Sequence, residues 1–305
     1  MSEAGVLVVD KTAGVTSFDA VALVRRRLGL SRVGHAGTLD PDATGVLPVL
    51  LGEATKLMAY LADQDKEYVA ALRLGVTTDT GDTSGRVIAE APVPELDRAR
   101  VQEACRPFIG RIKQVPPMFS AVHHGGRRLY ELAREGVEVV REPREVVIHH
   151  IEVQEVATPM VRLRVVCGKG TYLRTLAADL GAALGSGAAV ERLVRTRVGP
   201  FALEAAVSWA VLGTEPAAAL WARVHPAEAA LADWPALRLD ARALGRFEHG
   251  QSVDIAPART TASTLVRVHA ADGRLVGVGE VLEGGRTRPV RMLNADRPGT
   301  RRRPA

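Results

Sequence analysis

Cysteine is nearly absent: the 305 residues include two, Cys105 and Cys167, far apart and in no spacing suited to a metal. This argues against a disulfide framework or a zinc site and fits a reducing, cytoplasmic setting. Long apolar runs are missing as well. One of the longest, Val46 to Leu51, falls far short of a membrane span, so no membrane association is expected. The first residues carry Glu3 and Asp10 around a short apolar run. They lack the basic start, long apolar stretch and cleavage site of an export signal. There is no internal repeat and no Walker-type phosphate loop.

What is present is ordinary globular material, 47% hydrophobic and 25% charged, long enough for one large domain plus a small one or for two of similar size. The formal charge of +5 comes from arginine gathered into clusters: Arg25 to Arg27, Arg127 with Arg128, and Arg301 to Arg303. Arginine's planar fork suits phosphate, so each cluster is either a solvated basic face or a nucleic-acid contact.

The chain opens with a β-branched run, Gly5 to Asp10, that predicts a strand. Thr16-Ser17-Phe18-Asp19 has capping-box form, and Val21, Val24 and Leu28 repeat at helical spacing until Gly29, which predicts a helix. A second helix is predicted over 53–62 and a third over 95–109. Tyr68, Ala70, Leu72 and Leu74 alternate, as do Val161, Leu163, Val165 and Cys167, so both stretches read as strands. Gly75 to Gly85 reads as a polar loop. Gly168-Lys169-Gly170-Thr171 turns the second strand into a helix bearing Leu173, Leu176, Ala177, Leu180 and Leu184. Residues 115–136, with paired prolines, glycines and histidines beside a basic cluster, predict a protruding loop. Beyond residue 205 the text is alanine-rich and helical. After Pro235 only short strands follow, with an Asp272-Gly273 hairpin signal.

The segment Gly34 to Gly45, GHAGTLDPDATG, has no core to build. Its glycines permit close approach of another molecule. Asp40 before a proline is either a turn residue or a chemical group, His35 a surface hydrogen-bonder or a functional ring, and Asp42 is indistinguishable from Asp40 by composition. Arg174 falls at the edge of the apolar stripe of its helix, above Ala178 and Gly181, with room for a carboxylate or a ligand. Lys169 stands where free N–H groups at a helix start favour an anion. Tyr68 is an inward aromatic with a hydroxyl. Cys167 continues its strand's apolar alternation and reads as an inert thiol, although Lys169 lies close in sequence. The pairs His123-His124 and His149-His150 lack further metal ligands.

Taken together, LVVDKTAGVTSFD, GHAGTLDPDATGVLPVLLGEATK, KEYVA, PPMFSAVHHGGRRLYELAREG and GKGTYLRTLAADLG closely resemble the bacterial tRNA pseudouridine-55 synthase (TruB) family. The resemblance is collinear from Val6 to about Gly199. It implies an α+β pseudouridine synthase fold with a central mixed, largely antiparallel sheet flanked by helices and loops. A catalytic domain over 1–235 would carry an RNA-gripping thumb at about 116–145, and a small PUA-like RNA-binding domain would span 236–305. The implied reaction isomerises the tRNA T-loop uridine at position 55, without metal or organic cofactor and without an obligatory protein partner, in a monomer.

By resemblance Asp40 is the essential catalytic residue, kept ionised and oriented by Arg174. Tyr68 stacks on the base and is a candidate acceptor of its C5 proton. Leu193 lines the other side of the base, His35 fills the stack vacated by the flipped base, and Lys11 supports the pocket. Tyr172, Lys169, Arg127 and Arg128 are expected to bind substrate, and Asp42 becomes a turn residue. Alternatives are a guide-RNA-dependent pseudouridine synthase, whose relatives lack the thumb, an RNA chaperone without catalysis, and a uracil methyltransferase using Cys167.

Overall fold

A computed structural model describes residues 4–293. The expected Arg301 to Arg303 cluster lies outside the described residues. Strand β1 (Gly5–Lys11) is buried from Val6 to Val9 on both faces, which is why it reads as an unbroken apolar run. Helix α1 (Ser17–Leu28) begins with the Thr16/Asp19 capping box and ends at Gly29, whose φ of 66° is the left-handed conformation glycine adopts readily. Strands β2 (Val33–His35) and β3 (Thr44–Leu51) follow and pair antiparallel. The glycine-rich segment is therefore not free of regular structure: Gly34 and His35 end β2, and Thr44 and Gly45 open β3.

The helix predicted over 53–62 is instead a 3-10 turn, Gly52–Leu57, running into a short α-helix, Met58–Ala62. Thr55 donates its hydroxyl to the Gly52 carbonyl, a local bond that competes with α-helical pairing. Strand β4 (Lys66–Leu74) shows the expected alternation, with Tyr68, Ala70, Leu72 and Leu74 buried. The polar loop after it begins with a short strand, Val76–Thr78. Helix α2 (Arg98–Cys105) is shorter than predicted. Pro107 brings no N–H, and the chain tightens into a 3-10 turn at Arg106–Phe108.

Between β5 (Gly110–Gln114) and β6 (Arg144–Ala157) the expected protruding loop has structure of its own. His123–His124 pairs with Arg127–Arg128 across Gly125 and Gly126, both at positive φ, and α3 (Leu129–Arg134) anchors the hairpin through buried Leu129 and Leu132. Strand β7 (Met160–Cys167), helix α4 (Leu173–Ala183) and strand β8 (Ala188–Val198) complete the main body. The alanine-rich stretch yields only two short helices, Trp209–Thr214 and Ala217–Ala222, interrupted by Pro216.

Among the described residues the main sheet has eleven strands, ordered Val207–Ser208, β1, β3, β8, β4, β7, β6, β5 with three short strands beside this path. Most pairs are antiparallel, but β8 runs parallel to β3, so the sheet is mixed as expected. A C-terminal β domain follows, with strands β9 (Ala236–Leu239), β10 (Leu265–Ala270), β11 (Leu275–Val281) and β12 (Thr287–Met292) in that order. Helix α5 (Ala241–Glu248) covers it with Phe247. Lys56 ties the main body to this domain by donating to the Met292 carbonyl at 2.9 Å.

The β3–β8 pairing positions everything described below. It is short, Val194 opposite Thr44 and Arg195 opposite Gly45, and it holds the end of the 34–45 segment against the middle of β8. Gly45 has φ 101°, and a Cβ there would lie 2.2 Å from the Arg195 carbonyl oxygen. Both the dihedral and the space exclude a side chain. Replacing Gly45 with Ala is expected to destabilise the protein by about 3 kcal/mol, read as a lower denaturant midpoint with an unchanged slope.

Candidate active site

A cleft of about 940 Å³ opens where α1, the 37–43 loop, the 80–84 loop, the insertion between β5 and β6, and β8 converge. Asp40 stands in it with its side chain 43% exposed, beside an Arg174 side chain that is 6% exposed. The guanidinium reaches both carboxylate oxygens, Nε to Oδ2 at 3.0 Å and Nη2 to Oδ1 at 3.2 Å. Two further N–H groups are occupied: Nη1 donates to the Thr80 carbonyl at 2.9 Å, and Nη2 also donates to the Phe119 carbonyl at 2.7 Å. Arg174 is packed closely by the 80–84 loop, where a Cβ on Gly81 would lie 3.1 Å from Arg174 Cβ. Gly181, one face below, packs against the Ala188 backbone so closely that a Cβ would meet it at 2.2 Å.

Burial raises the Asp40 pKa above the ordinary carboxylate range. The charge of Arg174 works against that, while the neighbouring Asp82 carboxylate adds to it. The expected stabilisation of the ionised form by Arg174 is thus present but outweighed by desolvation. Asp82 lies 3.9 Å from Arg174 Nε and is itself held by the hydroxyls of Thr80 and Ser84.

Three buried polar side chains hold the loop that carries Asp40. Ser17 Oγ accepts from the Leu39 N–H at 2.9 Å and donates to the Leu39 carbonyl at 3.2 Å. Lys11, fully buried, donates to the carbonyls of Thr12, Val15 and Pro41 at 2.8–2.9 Å. Burial lowers its pKa to about 8, which leaves it an ammonium at neutral pH. Arg195, 1% exposed, donates to the carbonyls of Val46, Gly37 and Thr38. Pro41 and Asp42 occupy the tip of a turn closed by the Ala43 N–H on the Asp40 carbonyl at 3.1 Å, so Asp42 is an exposed turn residue.

His35, Leu193 and Arg128 line the same cleft. The His35 ring is kept neutral by burial and by the charge of Arg195, and its Nδ1 is buried without a partner among the described residues. Tyr68, 8% exposed, is not among the residues that line the cleft. Its phenol is raised by burial, and the charge of Arg195, its register partner on β8, opposes the rise. The remaining expected residues lie elsewhere. Tyr172 caps α4 and exchanges backbone hydrogen bonds with the Gln114 amide. Lys169 pairs with Asp63 at 2.8 Å on the exterior, and Arg127 pairs with Glu135. Burial pushes the Cys167 thiol up to about 11, which rules it out as a ready nucleophile.

Sequence reasoning missed Arg195, Asp82 and Ser17. Arg195 could have been found as the residue two beyond Leu193 on one strand face, had 188–198 been read as a strand.

Three family models together span most of the chain. Residues 25–173 match the TruB family pseudouridylate synthase N-terminal domain, 174–232 the tRNA pseudouridylate synthase B C-terminal domain, and 235–293 the pseudouridine synthase II TruB C-terminal model. The mixed sheet and its carboxylate-bearing cleft are therefore those of a pseudouridylate synthase, an isomerase. The chain resembles tRNA pseudouridine synthase B of Dechloromonas aromatica (strain RCB), 46% identical over 289 residues that cover 95% of each chain. It is 51% identical to the same-named protein of Symbiobacterium thermophilum over 257 residues, 83% of each. It belongs to the TruB family. Among solved structures, a Cbf5-Nop10-Gar1 complex superposes with TM-score 0.72 at 30% identity, over 91% of this chain and 78% of that one. An archaeal box H/ACA sRNP Nop10-Cbf5 complex gives 0.73 at 25%, over 96% and 86%.

Any reaction that needs ionised Asp40 should fade as pH falls through its raised pKa, at higher pH than for a free aspartate. Replacing Asp82 with Asn removes the like charge while leaving an oxygen for Thr80 and Ser84. The acid limb of a single-turnover pH–rate profile is expected to move to lower pH.

Proposed function

We propose that this enzyme converts the T-loop uridine at position 55 of tRNA to pseudouridine, as a stand-alone protein of the cytoplasm, with Asp40 as its essential residue. The observation that carries the reading is the two-point contact of Arg174 with Asp40 on the cleft wall. Breaking the N1–C1′ bond, turning the uracil and forming a C5–C1′ bond exchanges one proton, lost from C5 and gained at N1. The product contains every atom of the substrate, so no cofactor has to supply any. An ionised carboxylate serves this chemistry either as nucleophile at C1′ or as base for the 2′ proton. In either role it must be oriented and desolvated, which the Arg174 contact and the cleft favour.

In this reading the Tyr68 hydroxyl, with the Arg195 charge near it, receives the C5 proton. Leu193 and Tyr68 provide apolar surface for the base. A uridine stacked in a folded loop must be extruded first, at a cost of a few kcal/mol. The neutral, flat His35 ring with a free nitrogen is suited to the vacated place. Arg128, Arg134 and Arg192 on the rim supply charge for phosphates. The C-terminal β domain, in this reading PUA-like, and the thumb extend the RNA contact.

The same fold in the Cbf5 complexes raises the guide-RNA-dependent alternative. Two things favour the stand-alone reading: the folded hairpin and helix inserted between β5 and β6, and curated relatives named tRNA pseudouridine synthase B that match along 95% of the chain. No described helix is long and apolar enough to cross a membrane.

Purified protein with unmodified tRNA and no guide RNA is expected to yield one pseudouridine, mapped in the T-loop. Asp40→Asn should lower the rate at least about a thousandfold with tRNA affinity largely kept, and robust turnover by this variant would end the assignment. His35→Ala should slow reaction on folded tRNA more than on a flexible single strand. Equal slowing on both would remove the base-flipping role.

A further inference from the structure

Aromatic residues make up 4% of the chain, yet one of them, Phe18, is 66% exposed. Among the described residues it is the only aromatic in the set of exposed large apolar side chains. It takes no part in the two aromatic ring pairs, Tyr60–Trp234 and Phe201–His225. Nor does it serve the core: the buried stripe of α1 is Ser17, Ala20, Val21, Val24 and Leu28. Phe18 instead lines the cleft that holds Asp40.

Its backbone is fixed from both directions. The Thr16/Asp19 capping box closes around it, with Thr16 N–H to Asp19 at 2.8 Å and Asp19 N–H to Thr16 at 3.1 Å. Ser17, the residue before it, makes both hydrogen bonds to Leu39, the residue before Asp40. Phe18 and Asp40 are therefore each one residue beyond a common two-bond clamp, so their backbones move together. Tyr130, also on the cleft, already has its ring face under the Arg134 guanidinium at 5.4 Å.

We propose that Phe18 is a stacking platform for an unpaired nucleobase flanking the target uridine, and that through the Ser17–Leu39 clamp it sets the register of the RNA strand relative to Asp40. Every base has a π-face, so such a contact accepts any of the four and fails only when the base is missing. The inference rests on the functional reading above in taking single-stranded loop RNA as the ligand.

The test uses the full chain and a T-arm stem–loop carrying 2-aminopurine at either neighbour of the uridine. Wild type is expected to quench one of the two probes, and Phe18→Ala to lose that quenching and bind about tenfold more weakly. Phe18→Trp should restore both, and in turnover the loss should fall on KM and not on kcat. With an abasic residue at the quenched position, wild type and Phe18→Ala should bind alike. Quenching that survives in Phe18→Ala, or restoration by Phe18→Leu as complete as by Trp, would overturn the platform. Failure of wild type to form pseudouridine in the unlabelled stem–loop, with quenching intact, would overturn the proposed reaction and leave the stacking contact standing.

Discussion

Arg174 is the constraint on which the site depends. A carboxylate drawn into a half-dry cleft tends to neutralise itself, and burial does raise the Asp40 pKa. One guanidinium opposes that tendency while also binding the Thr80 carbonyl, the Phe119 carbonyl and the neighbourhood of Asp82. It thereby joins four segments that are distant in sequence: the Asp40 loop, the 80–84 loop, the insertion between β5 and β6 at Phe119, and α4. Arg174 can hold this place because Gly81 lets the 80–84 loop lie against it and because Gly181 lets α4 lie directly on the start of β8. Loss of that helix–strand contact would move the cation and with it all four segments.

The Asp40 loop illustrates how an irregular segment can be rigid without a core of its own. Its carbonyls point inward, and buried carbonyls need donors. Ser17, Lys11 and Arg195 provide them from α1, β1 and β8, so each neighbouring element contributes one long or hydroxylated side chain in place of an apolar one. Burying an ammonium and a guanidinium is tolerable here because all three Lys11 donors and three of the five on Arg195 meet carbonyls, so the charges sit in a cage of oriented dipoles.

These arrangements were unequally legible in the sequence. α1 could be read almost to the residue, because Thr16, Asp19 and Gly29 act locally and no tertiary contact overrides them. β4 could be read from period-two burial, and the C-terminal hairpin from Asp272-Gly273. β6 and β8 could not. Glu152, Glu155, Arg192 and Arg197 interrupt their apolar pattern, and bulges at Val153/Glu155 and Val190/Arg192 shift the alternation. At the site, Asp40, Arg174 and His35 were visible through local oddity and family resemblance. Lys169 and Arg127, expected to bind substrate, lie outside the cleft lining and pair with Asp63 and Glu135 on the surface. Arg195 went unread because Glu-Arg-Leu-Val-Arg-Thr-Arg looks like a solvated charged segment, and its place two beyond Leu193 means something only once 188–198 is a strand. Only the β3–β8 pairing, which Gly45 makes possible, turns one of those arginines inward.

The electrostatics of the cleft also bear on the proposed binding of RNA there. Displacing water strengthens every charge interaction inside, both the attraction of Arg174 and the repulsion of Asp82. Arg174 cannot swing towards whichever carboxylate gains more, because Nη1 and Nη2 are anchored on backbone carbonyls of two different segments. Asp82 is held in turn by Thr80, whose own carbonyl is one of those anchors. The geometry around Asp40 therefore stays fixed while its dielectric falls, so in the proposed reaction the protein need not reorganise as charge develops at the sugar. A fixed, shared cation of this kind favours the transition state over a merely well-bound ground state, since donors that cannot move cannot optimise themselves for the substrate.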